Sequence, residues 1–222
     1  MPAQPVLALD VIALHDRLLA QDDWPQADPP PPLPPPPQAA LWHWVQINHR
    51  NNCLLWAEED LARRRTVADT EIAANKRAID GFNQARNDAT ERIDELLLVA
   101  LQLVDEASAR SDASHVTVPA GARLNSETAG SMIDRLSILA LKLRAMREQT
   151  LRSDVDETHR AASAVKLERL LQQRHDLGAC LDELIRDAMA GRAFFKVYRQ
   201  FKMYNDPRLN PVLVDEQRRS PA

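Results

Sequence analysis

His49, Asn52, Trp56, the neighbours Glu59 and Asp60, and Arg63 succeed one another at steps of three or four, which stacks them on one face of a helix. An imidazole, an amide, an indole, carboxylates and a guanidinium stand where an ordinary amphipathic helix carries Leu. Such a set could move a proton through His49 or Glu59, stack a ring on Trp56 and hold an anion with Arg63. Lys76, Asp80, Asn83, Asn87 and Glu91 repeat the spacing on the next helical stretch, with Arg86 beside them. Two polar stripes on consecutive helices form either a buried hydrogen-bond network or the wall of a pocket. In the network case the natural pairs are Glu59 with Arg86 and Asp80 with Arg63, because buried charges are stable only when paired.

Asp134 and Arg135 open a later helix. The acid is favoured there by the helix dipole and adds one polar contribution to the central seam. The candidate ligand-binding set is therefore Asn52, Trp56, Glu59, Asp60, Arg63 and Lys76, with Asp80, Asn83, Arg86, Asn87, Asp134 and Arg135; His49 and Glu59 are the catalytic candidates. Glycine-rich phosphate loops, a nucleophile elbow and Cys-x-x-Cys pairs are absent from the sequence, so an anionic ligand must be held by side chains such as Arg63, Lys76, Arg86 and Arg135. His49, Glu59, Asp60, Asp156 and His159 carry metal-ligand chemistry. The di-iron pattern, however, requires Glu-x-x-His on two helices, and the chain has only Asp112-x-x-His115 and Asp156-x-x-His159. No metal and no cofactor is expected.

The elements that position these residues are helical. Only five glycines in 222 residues, with abundant Ala, Leu, Arg and Glu, favour helix over sheet. The expected fold is all-α: a single-domain bundle of five to six helices with long central antiparallel members. Residues 1–28 carry an amphipathic satellite helix with Leu7, Val11, Leu14 and Leu18 on one face and His15 and Asp16 beside it. Residues 29–37 are a polyproline spacer, with docking of a proline-recognising domain as the alternative. Residues 38–211 form the bundle body: helices over 38–65 and 69–110, separate or as one bent rod, a loop over 111–122, and helices from about 126 and over 154–190. Gly191 is the expected C-cap. Tyr198, Phe201 and Tyr204 of the aromatic segment are expected to pack on the body, and 212–222 to form a disordered tail.

With 28 basic and 32 acidic residues in mixed order, the chain lacks the basic footprint of a nucleic-acid binder. Arg outnumbers Lys by 23 to 5, through bidentate anion recognition or coding bias. Cys53 and Cys180 lack disulfide-framework spacing, which favours a reduced, cytoplasmic setting. Asp10, His15, Asp16 and Arg17 interrupt the first apolar stretch, and no run reaches bilayer length, so neither secretion nor a membrane span is expected.

Three polar blocks carry a family resemblance: Asn48-His49-x-x-Asn52-x-x-Leu55-Trp56-x-Glu58-Glu59-Asp60, Lys76-Arg77-x-Ile79-Asp80-x-x-Asn83-Gln84-x-Arg86-Asn87-Asp88, and Asn125-Ser126-Glu127-Thr128-x-Gly130-x-Met132-Ile133-Asp134-Arg135. With Tyr198-Arg-Gln-Phe-Lys-Met-Tyr-Asn-Asp-Pro, they resemble the bacterial family designated domain of unknown function 4254, over a span from Ile12 to Pro211. The family has no established activity. The resemblance implies a place beside cell-envelope polysaccharide and glycosyl-transfer genes. The expected function is ligand binding or an accessory role in that glycan synthesis, with a sugar-phosphate or nucleotide-sugar ligand, a glycosyltransferase partner, or a homodimer. The alternatives are an enzyme on a phosphorylated or nucleotide-sugar substrate and an interaction module without chemistry.

Overall fold

The computed structural model describes residues 5–26, 37–111, 116–200 and 206–219. It is an all-α bundle built on two helical hairpins. The first joins α2 (Pro37–Leu61) to α3 (Asp69–Ala100), and the second joins α5 (Ala129–Leu151) to α6 (Glu157–Met189). The break at 62–68 answers the open question about the central rod: α2 and α3 are separate. They run antiparallel, since Asn48 bonds Thr90 while Glu58 bonds Asn75. Side-chain caps start the second pair. Thr128 accepts from the Ser131 amide ahead of α5, and Asp156 from the His159 amide ahead of α6. Asp156 and His159 are thereby joined through the backbone as a cap.

The helix α1 (Ala8–Leu19) is not a satellite. Val6, Ala8, Val11, Leu14 and Leu18 are buried in the same core as Ile93, Leu97, Ile133, Leu181 and Ile185. Its polar residues fix its register against α6, where Asp182 accepts from the Ala8 amide at 2.8 Å and Arg174 chelates Asp16 at 2.9 Å through both oxygens. The apolar face therefore docks in one position along the groove.

The third stretch also ends earlier than its periodicity predicted. Leu101 caps α3, Gln102 takes a positive φ of 58°, and a short α4 (Glu106–Ala109) follows. Gly191, at φ +69°, ends α6 as expected. The chain then pairs Ala193–Phe194 (β2) in parallel with Arg123–Leu124 (β1), which delivers Phe194 and Phe195 to the core. Tyr198, expected on the bundle, is exposed, and Phe201 and Tyr204 lie outside the described residues. So does most of the proline run. Near the C-terminus, where no regular structure was expected, Pro211–Arg219 form α7, none of whose residues is buried. Among the described residues no helix is long and apolar enough to cross a membrane.

Candidate functional site

The polar face of α2 is split between two environments. Its first half is buried: Asn48, His49, Asn51 and Asn52 are each at most 5% exposed. The carboxylate of Asp134, from the first turns of α5, accepts from Asn48 Nδ2 and Asn52 Nδ2, both at 2.9 Å. Asn52 also donates to Ser137 Oγ at 3.0 Å, and Asn48 to Thr90 Oγ1 at 3.1 Å. Arg86 Nε sits 3.5 Å from Asp134 Oδ1, near enough for an ion pair but without hydrogen-bond geometry. The network thus joins α2, α3 and α5, with nearly every polar atom satisfied.

His49 belongs to this interior. Its Nδ1 meets Ser137 Oγ at 2.8 Å, and its ring stacks with those of His15, at 4.4 Å, and Trp24, at 5.7 Å. Burial lowers its pKa to about 3, against a smaller opposing contribution from the His15 backbone. A fully buried imidazole that stays neutral at ordinary pH does not reach a ligand, so His49 is a structural residue in this conformation.

His15 carries an unmet cost, because neither ring nitrogen has a hydrogen-bond partner although the residue is completely buried. Burial, then the neighbouring His49 and Arg174, holds its pKa well below the usual histidine value. The folded state therefore keeps His15 neutral while the unfolded chain takes up a proton below about pH 6.5. Stability from this group is full above that pH and lost as pH falls. We expect His15→Leu to raise Tm, since an apolar side chain of similar volume removes an unsatisfied buried group worth about 1 kcal/mol or more. The gain should be larger at pH 5 than at pH 8, and thermal melts at both values check the sign.

Beyond Asn52 the face of α2 emerges to solvent. Trp56 and Glu59 are half-buried, and Asp60 and Arg63 are exposed. These four share a cleft of about 290 Å³ with Asn52, Arg86 and Ile138. The pairings differ from those predicted. Glu59 bonds Arg63 on its own helix, and Arg86 turns to Asp134, whose carboxylate on α5 stands 3.5 Å from its Nε. Lys76 and Asp80 are exposed, and Asn83 and Asn87 join neither the network nor this cleft. Arg135 is exposed and pairs with Glu127. The contact between α2 and the start of α3 is made instead by Glu58, Asn75 and Arg64.

A second cleft opens on the other side of Trp56, between α5 and α6. It measures about 410 Å³ and is lined by Trp56, Ala145, Met146, Leu170 and Gln173, with Lys142, Lys166 and Arg169. The three cations form no ion pair or hydrogen bond among the described residues, and no carboxylate lines the cleft. Most arginines of the chain are spent in ion pairs, from Arg63 with Glu59 to Arg208 with Asp206. No motif in the sequence marks Lys142, Lys166 and Arg169 as a set. Their meeting with Trp56 requires three helices, and no local spacing marks it.

The chain belongs to the family described as Protein of unknown function (DUF4254), whose model matches residues 42–197, from early α2 to just past β2. No curated protein and no solved structure matches it.

Proposed function

We propose that this member of the family is a cytoplasmic ligand-binding protein whose cleft beside Trp56 holds a phosphorylated ring compound, a sugar phosphate or nucleotide. The observation that carries the reading is the set of three unpartnered cations, Lys142, Lys166 and Arg169, around an indole with no carboxylate among them. A phosphate is recognised by such cations, and a sugar or base ring by the indole face. An accessory role in cell-envelope glycan synthesis, beside a glycosyltransferase, is the setting that the family resemblance adds. Binding is preferred to catalysis because His49 is sealed in the interior. Glu59 is the remaining acid–base candidate, and it lies on the far side of Trp56 in contact with Arg63.

Calorimetry with glucose 1-phosphate and with UDP tests the reading. Both should bind the full chain, and a Lys166→Ala/Arg169→Ala double variant should bind about a hundredfold more weakly, at about 1.5 kcal/mol for each charge-assisted contact. Both side chains are exposed and unpartnered, so Tm should not move. Absence of heat with either compound, or unchanged affinity in the double variant, would remove the cleft as a phosphate site.

A further inference from the structure

We infer that the ligand of the Trp56 cleft is a nucleoside diphosphate sugar lying along the groove between α5 and α6, with its base on the indole, its diphosphate at Lys142, Lys166 and Arg169, and its sugar in the larger groove beside Cys180. This rests on the reading above and names the ligand class of that site. The larger groove, of about 800 Å³, lies between α5, α6 and the segment 123–127, and it shares Lys142 and Gln173 with the Trp56 cleft. The two adjoin at these residues along α5 and α6. Pockets for drug-sized ligands span about 300–1,000 Å³, so the smaller cleft suits one ring and its phosphate, whereas the adjoining pair suits two ring systems joined at Lys142.

The charge pattern sets the direction. In the cleft between α5 and α6 the charged groups beside Trp56 are all cations. In the larger groove, Arg123 is drawn off by Asp187 and Arg135 by Glu127, which leaves the carboxylates Asp176 and Glu183 at the rim. Glu183 has no hydrogen bond or ion pair among the described residues. Beneath the rim the floor is apolar, made by Met132, Leu139 and Leu177. Carboxylates repel phosphate and accept from hydroxyls, and an apolar floor receives the C–H face of a sugar ring. The diphosphate therefore stays at Lys142 and the neutral, hydroxyl-rich end enters the groove.

Cys180 lines that groove and is exposed, whereas Cys53 is buried and its thiol is pushed up to about 11 by that burial. Iodoacetamide should thus label Cys180 first, with Cys53 as a slow internal reference. On the full chain, UDP-glucose at ten times its dissociation constant should slow Cys180 labelling about tenfold by occupancy. UDP should quench the fluorescence of Trp56, identified by its loss in Trp56→Phe, and leave the Cys180 rate unchanged. Glu183→Gln should weaken UDP-glucose without affecting UDP. If UDP-glucose quenches Trp56 but Cys180 reacts at its free rate, or if UDP protects Cys180 as well as UDP-glucose does, the extended placement is wrong while the phosphate cleft stands. If no probe quenches Trp56, the cleft reading falls with it.

Discussion

Asp134→Ala should cost about 3–5 kcal/mol, because it leaves buried partners without their shared acceptor. Asn48 Nδ2 and Asn52 Nδ2 each lose a 2.9 Å bond, and the Arg86 guanidinium loses its counter-charge. Asn48 retains Thr90 and Asn52 retains Ser137, so the loss is not total, but neither neighbour offers a charge to Arg86. Asp134→Asn should recover part of the loss, since its carbonyl oxygen still accepts from one amide. Chemical denaturation of the three proteins checks the order wild type, Asn, Ala; equal midpoints for wild type and Ala would show that the network contributes nothing to stability.

The contrast with Glu59 and Arg63 separates the two halves of the α2 face. That pair lies on the surface, with side chains 39% and 68% exposed, and an exposed pair at this spacing contributes only about 0.3–0.5 kcal/mol. Its residues are therefore free to serve the cleft, while Asn48, Asn52 and Asp134 are committed to joining three helices. The same run of spacing thus encodes a structural lock at one end and a cleft wall at the other.

The sequence exposed the lock only in part. Apolar periodicity within single helices was legible, and Ile93, Leu97, Ile133, Leu136, Leu181 and Ile185 are buried as their spacing required. Asn52 and Asp134 were visible as site-like residues. Which helix each would face was not, because that depends on the register between hairpins, and register is set by contacts such as Asn48 with Asp134 and Asp94 with Gly130 that lie far apart in the chain. Hence Glu59 was matched with Arg86, and α1 was taken as peripheral although Val11 is completely buried. The cationic cleft was hidden for the same reason: Lys142, Lys166 and Arg169 lie on α5 and α6, and Trp56 comes from α2.

Gly130 stands in the first turn of α5, where its amide donates to Asp94 Oδ1. Burial raises the Asp94 pKa to about 7, with Thr128 and the Gly130 amide opposing the rise. A Cβ at Gly130 would lie 2.6 Å from the Thr90 carbonyl oxygen and 2.8 Å from Asp94 Oδ1. The first is backbone inside α3 and cannot swing away, so Gly130→Ala must push α3 and α5 apart. Overpacking and a weakened buried bond together should cost about 4 kcal/mol. Because Thr90 also accepts from Asn48, and Asp134 lies one turn beyond Gly130, the displacement loosens the same network that Asp134→Ala breaks. The two substitutions should therefore be less than additive, with the double variant at least about 1 kcal/mol more stable than the summed losses imply. A double-mutant cycle by chemical denaturation measures this coupling, and strict additivity would show that the close approach of α3 to α5 and the asparagine–aspartate lock are independent.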